Sequence, residues 1–144
     1  MSMEQERDVI LYADDDPDYR LLAQYALKDS QLDFDLRFAE DGLEVMDYLW
    51  EKGKFRWALC PRPAVIFLDL SISKKDGREI LEAIREDHSL RDIPVVVLTT
   101  SDVQEEIHRR SDLPADLFAS KPLTAEGLRA TLQALTAGAG GDLQ

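Results

Sequence analysis

The chain has 144 residues, 44% hydrophobic and 32% charged, which suits one soluble globular domain with one sizeable core. Its formal net charge of -12 argues against DNA, RNA or an anionic membrane as the main partner, and leaves room for a basic partner or a metal cation. Cys60 is the only cysteine, which excludes an intramolecular disulfide and a cysteine-based metal site.

Residues Met1 to Asp8 are polar, without the apolar core of a signal peptide, and no segment approaches the length of a membrane span, so the cytoplasm is the expected location. Val9-Ile10-Leu11-Tyr12-Ala13 is a short apolar strand ending in Asp14-Asp15-Asp16. Pro17 stands at the first position of a helix capped by Asp16, with Leu21, Leu22, Tyr25 and Ala26 at helical spacing. Phe34 to Ala39 reads as a second strand, and Asp41-Gly42 opens a second helix carrying Leu43, Met46, Leu49 and Trp50. The connector from Glu51 to Pro63 is long for a link between helix and strand, and its aromatics, with Trp50, Phe55 and Trp57, read as packed down.

Ala64-Val65-Ile66-Phe67-Leu68 has the composition of a strand buried on both faces, and it closes on Asp69. A carboxylate inside such a strand is costly, whereas one at the carboxyl end of a parallel strand stands where ligands bind. Lys74-Lys75-Asp76-Gly77 is a turn before a third helix with Ile80, Leu81 and Ile84. Pro94 precedes a fourth strand, Val95 to Leu98, followed by Thr99-Thr100-Ser101-Asp102. A very polar fourth helix with Val103 and Ile107, a short fifth strand Leu117-Phe118-Ala119, Ser120-Lys121-Pro122, and a last helix with Leu128, Leu132 and Leu135 complete the order.

The pattern is five βα units, an α/β fold whose parallel sheet is doubly wound with helices on both faces. Residues 1–8 read as an N-terminal extension, 9–137 as the domain and 138–144 as a glycine-rich flexible tail, with no room for a separate output domain. Parallel strands bring Asp14, Asp15, Asp69, Thr99 and Lys121 to one edge. Three carboxylates there repel unless a cation intervenes, and an oxygen-only cluster suits Mg²⁺ or Mn²⁺. A metal, an ammonium and a hydroxyl around one carboxylate meet the needs of a phosphoryl group. Taken singly, each part has a plainer reading: an Asp run before Pro caps a helix, and a Thr or a Lys-Pro pair after a strand belongs to a turn.

The joint pattern resembles the receiver domains of bacterial two-component response regulators, a flavodoxin-like (βα)5 fold. The resemblance runs from Val9 to Leu135 on ILYADDDPD, VIFLDLSISKKDG, IPVVVLTT and FASKP. KKDGREIL, the Thr-Thr-Ser run and the long connector are most similar to single-domain regulators associated with phytochrome-type histidine kinases.

The resemblance implies that Asp69 accepts a phosphoryl group from a sensor histidine kinase. Asp14, Asp15 and Asp69, with the backbone carbonyl of Ser71, would hold Mg²⁺ or Mn²⁺, Asp15 being the more direct ligand of the acidic pair. Thr99 and Lys121 would bind the phosphoryl oxygens, Thr100 would guard the pocket, and Thr99 and Phe118 would form the switch. Ser73 stands where proline is usual in the acceptor loop, Ser71 and Ser101 are small polar residues beside the pocket, and Pro114 replaces a glycine. A histidine phosphotransferase and a homodimer partner are further implications. His88 and His108 lie on polar stretches and read as surface residues, not relay sites. Two other readings compete: a metal-dependent phosphatase with an aspartyl nucleophile, and a phosphate-independent interaction module on the same fold. The phosphatase reading suffers from Ser71, where many such enzymes carry a second Asp as general acid.

Overall fold

The computed structural model describes residues 7–56, 60–70, 72, 77–99 and 115–143, the last seven by backbone alone. Five strands, β1 (Val9–Ala13), β2 (Asp35–Ala39), β3 (Pro63–Asp69), β4 (Val95–Thr99) and β5 (Leu117–Ser120), form one parallel sheet in the order β2-β1-β3-β4-β5. The described helices are α1 (Pro17–Ser30), α2 (Gly42–Trp50), α3 (Gly77–Glu86) and α4 (Ala125–Leu143), with a 3-10 turn at Gly53–Phe55. The expected helix around Val103 and Ile107 lies outside the described residues, as do Trp57, Ser71, Ser73, Thr100, Ser101, His108 and Pro114. Helix α4 therefore corresponds to the fifth helix read from the sequence.

Alternation along the central strands sorts their side chains into two cores. Leu11, Ala13, Ile66, Leu68, Val95 and Val97 pack with Val45 and Met46 of α2 and Ile80, Leu81 and Ile84 of α3. Ile10, Tyr12, Val65, Phe67, Val96 and Leu98 pack with Ala23 and Ala26 of α1 and Leu128 of α4. Both faces of β1, β3 and β4 are thus covered, which is why these strands read as unbroken apolar runs. Burying each large aliphatic or aromatic side chain contributes roughly 1.5–3 kcal/mol relative to exposure.

Two helices bury a different stripe from the one their leucines suggest. On α1 the structure leaves Leu21, Leu22 and Tyr25 exposed, and turns Ala23, Ala26 and Ser30 inward. Those residues, with Leu27, also follow helical spacing, and their small side chains let α1 lie close on the sheet. On α2 the inward stripe is Gly42, Val45, Met46 and Tyr48, while Leu43 and Trp50 are exposed. The connector aromatics divide accordingly. Phe55 packs edge-on against Tyr48 at 5.3 Å, whereas the Trp50 indole donates to Asp87 Oδ2 at 3.0 Å on the surface. Helix α4 continues through Leu143, past the glycines that mark a frayed tail. Glycine costs about 1 kcal/mol per residue in a helix interior relative to alanine, which weakens a helix without forbidding it.

Asp16 caps α1 as expected, accepting from the Asp18 N–H at 2.9 Å, and Asp41 caps α2 by accepting from the Glu44 N–H at 2.9 Å. At the start of α3, Gly77 presses against the chain leaving β3. A Cβ there would stand 2.6 Å from Leu70 Cα and 2.9 Å from its carbonyl oxygen. Backbone on both sides leaves nothing to swing away. Gly77→Ala is expected to lower the unfolding free energy by about 1–3 kcal/mol in urea titrations, as overpacking does. An unchanged midpoint would show that the contact has slack.

Candidate functional site

Strand register assembles the site. Ala13 pairs with Leu68, so Asp14 and Asp69, the next residues, emerge level with each other from neighbouring strands. The strand order reverses between β1 and β3, the place where open α/β sheets open a crevice at their carboxyl ends. Asp69 pairs with Leu98 and Thr99 pairs with Ser120, so Thr99 and then Lys121 extend one step further out each time. Val97 pairs with Phe118, and alternation puts Thr99 and Phe118 on the same face of the sheet, toward α2 and α3. Thr99 is buried and Phe118 half-buried.

The Lys121 ammonium binds the two acidic strand ends together. Its Nζ donates to Asp14 Oδ2 at 2.9 Å and to Asp69 Oδ2 at 3.0 Å. All three side chains are nearly withdrawn from solvent: 6% exposed for Lys121, none for Asp14 and 9% for Asp69. Asp14 is fixed further by the Asp16 N–H, which donates to its Oδ1 at 2.9 Å, and by the Arg20 guanidinium, which donates to its carbonyl at 2.7 Å. Asp15 is exposed, yet one oxygen each of Asp14, Asp15 and Asp69 lie within 4.8 Å of one another.

Burial outweighs attraction at Asp14. Desolvation raises its pKa above the ordinary carboxylate range, although the Asp16 N–H and the Lys121 ammonium oppose the rise. At Lys121 burial acts to lower the pKa, but hydrogen bonds and charge from Asp14 and Asp69 prevail and raise it, so the ammonium stays protonated. Among the described residues, the buried Lys121 ammonium thus faces the buried Asp14 and Asp69 carboxylates beside an exposed Asp15. A hard divalent ion would be held by the Asp14, Asp15 and Asp69 oxygens, the donor set that magnesium and manganese prefer.

Three residues near the site escape sequence reasoning. The Tyr19 ring, in the first turn of α1, lies 4.1 Å from Lys121 Nζ. Arg20 looks like an ordinary helix cation until its contact with the Asp14 carbonyl is seen. Tyr12 stacks on Phe67 at 6.2 Å, and among the described residues its buried hydroxyl has no hydrogen-bond partner. Burial raises the pKa of that hydroxyl, with Asp14 and Asp69 adding to the effect. No spacing in the chain marks them: Tyr19 and Arg20 follow the Asp16 cap like ordinary residues at the start of α1, and Tyr12 lies within the apolar run of β1. Cys60, by contrast, is uninvolved; its half-buried thiol faces the Phe55 carbonyl at 3.9 Å and burial raises its pKa. His88 is exposed, in keeping with its polar surroundings.

A doubly wound parallel sheet with a lysine-bridged acidic pair at its switch point defines the class, and the chain belongs to the response regulator receiver domain family, whose model matches residues 10–133. That is a family of signalling proteins. Among its relatives, the chain is 36% identical over 127 residues to Response regulator Rcp1 of Synechocystis sp. (strain ATCC 27184 / PCC 6803 / Kazusa), covering 88% of this chain and 85% of that protein. It superposes on the bacteriophytochrome response regulator AtBRR with a TM-score of 0.80 at 34% identity, covering 89% of this chain and 91% of AtBRR. The phosphorylated cyanobacterial phytochrome response regulator RcpA matches with a TM-score of 0.72 at 34% identity, over 90% of this chain and 91% of RcpA. A crystal structure of Rcp1 holds Mn²⁺; its TM-score is 0.70 at 36% identity, over 89% of this chain and 91% of that one.

The charge imbalance has a measurable cost. A carboxyl whose folded pKa is raised contributes stability below its unfolded pKa and loses it as pH climbs through the folded value. At neutral pH, ionised Asp14 therefore destabilises the metal-free fold. Asp14→Asn is expected to flatten the gain in stability that the parent shows on mild acidification in chelator-treated buffer, read as thermal midpoints across the acid range. A variant whose midpoint keeps the parent's dependence on pH would contradict this electrostatic reading.

Proposed function

We propose that Asp69 is the acceptor of a phosphoryl group delivered by a histidine kinase, in a reaction that depends on Mg²⁺ or Mn²⁺. The observation that carries this reading is the Lys121 ammonium shared between Asp14 and Asp69. A lysine already bonded to the acceptor carboxylate can follow the new charge when that oxygen becomes esterified. Asp69 attacks the phosphorus in line, an O–P bond forms, the P–N bond to the kinase imidazole breaks, and the imidazole leaves with a proton. Asp14, Asp15 and Asp69 would hold a divalent ion, with the Ser71 carbonyl as the further ligand that the family resemblance implies, and the ion would neutralise charge on the transferring group.

Lys121 then passes from Asp69 to a phosphoryl oxygen, and Thr99 turns its hydroxyl toward another. Phe118 shares the sheet face of Thr99, so an inward move of Thr99 leaves space on the side where Phe118 packs. That is a local charge event read out by a two-state packing change. Return to the ground state is the chain's own hydrolysis of the acyl phosphate, in which water takes the phosphoryl group as inorganic phosphate and frees the Asp69 carboxylate.

Likeness to AtBRR, RcpA and Rcp1 supports a phytochrome-type kinase as donor. The same reading gives a histidine phosphotransferase as acceptor of the group, a homodimer partner and a cytoplasmic setting; among the described residues no helix is long and apolar enough to cross a membrane.

The test uses acetyl phosphate and a purified phytochrome-type kinase with Mg²⁺. The parent chain is expected to take up acid-stable, base-labile phosphoryl label, and Asp69→Asn or chelation should abolish it. Uptake that persists in Asp69→Asn would place the acceptor elsewhere.

A further inference from the structure

We infer that Tyr19 is the positioning residue for Lys121, and that its ring controls how tightly the site holds a phosphoryl group on Asp69. The inference rests on the phosphoacceptor reading above and adds a residue that the acidic, hydroxyl and lysine motifs do not contain.

A lysine ammonium has three N–H donors. Two point to Asp14 Oδ2 and Asp69 Oδ2, and the aromatic face of Tyr19 lies 4.1 Å from Nζ. That separation is well inside the range over which a ring quadrupole attracts a cation, and the attraction grows when the cation is desolvated. Lys121 is desolvated, with only 6% of its side chain exposed. The ring is itself held in place. Tyr19 stands in the first turn of α1, between the Asp16 cap and Arg20, whose guanidinium donates to the Asp14 carbonyl. The helix start, the acidic loop and the lysine thus form one connected unit.

The chemistry of the third contact matters. A further carboxylate in place of the ring would tether the ammonium by directed hydrogen bonds and resist its transfer to a new partner. A π face attracts the same charge over a broad area and has no lone pair to surrender. Lys121 can therefore slide from Asp69 to a phosphoryl oxygen while remaining over Tyr19. The ring also closes one side of the ammonium to water, which keeps its interaction with the phosphoryl group in a low-dielectric setting.

The discriminating experiment compares the parent with Tyr19→Phe and Tyr19→Leu. Beryllofluoride with Mg²⁺ serves as the stable stand-in for the phosphoryl group, Mn²⁺ alone reports the acidic cluster, and acetyl phosphate gives labelling rate and lifetime. Tyr19→Phe keeps the π face and is expected to stay close to the parent. Tyr19→Leu is expected to weaken beryllofluoride binding by about 3- to 10-fold and to shorten the acyl phosphate lifetime, with Mn²⁺ affinity unchanged. In the resting protein, the Lys121 ε-methylene protons should show an upfield ring-current shift in the parent and Tyr19→Phe, lost in Tyr19→Leu.

A Tyr19→Leu chain that binds beryllofluoride and keeps its phosphate like the parent overturns the inference. So does a Tyr19→Phe chain that loses as much as Tyr19→Leu, because the hydroxyl would then be responsible. A parent chain that takes up no phosphoryl group overturns the underlying phosphoacceptor reading as well. Only in that last case does the parent arm itself fail, so the two failures are told apart.

Discussion

The structure turns on one buried ammonium set against three carboxylates. Lys121 comes from beyond the last strand, yet its Nζ lies within 3.0 Å of oxygens at the ends of β1 and β3. It joins parts of the chain 107 and 52 residues apart and closes the carboxyl edge of the sheet. Buried charge of this kind does not stabilise a fold cheaply, because desolvation works against each ion. The raised pKa of Asp14, despite its lysine partner, is the sign of that conflict. Such strain is expected where a protein keeps acidic groups together for a ligand rather than for its own stability.

The rest of the fold supplies the rigidity that this arrangement requires. Central strands covered on both faces fix the level at which Asp14 and Asp69 emerge, and a slip of one residue would turn either carboxylate toward the wrong face. Gly77 brings α3 against the residue after Asp69, so β3 is braced where it ends. Asp116 performs a similar task for β5: its Oδ2 accepts from Arg85 at 2.7 Å and from the Val95 N–H at 2.8 Å, tying the strand's approach to α3 and β4. Thr99 and Phe118, the pair proposed to form the switch, sit on the opposite face of the sheet from Tyr12 and Phe67. On that proposal, chemistry and readout share an edge but use different cores.

Strands were the most legible part of the sequence, because burial on both faces leaves unbroken apolar runs such as Val65 to Leu68 and Val95 to Leu98. The convergence of Asp14, Asp69 and Lys121 was legible for a related reason: parallel strands bring their carboxyl ends to one edge, although each residue alone also reads as part of a cap or a turn. Helix faces were harder. On α1, alanines and a serine compete with leucines and a tyrosine for the inward position, and only packing against a particular sheet decides between them. Tyr19 and Arg20 were invisible for a related reason. Their roles come from contacts with Lys121 and Asp14, which depend on how α1 tilts over the edge and not on any spacing in the chain. Thr99 and Phe118 illustrate the opposite case, since their shared face follows from strand alternation once Val97 is paired with Phe118.

The most direct measurement is a Mn²⁺ titration of the metal-free protein followed by electron paramagnetic resonance. An oxygen cluster of Asp14, Asp15 and Asp69 should bind one ion per chain, release it to excess Mg²⁺, and lose it in Asp15→Asn, while Lys121→Gln should bind at least as tightly. The absence of saturable binding, or binding indifferent to Asp15, would contradict the view that this acidic edge is arranged to hold a divalent cation.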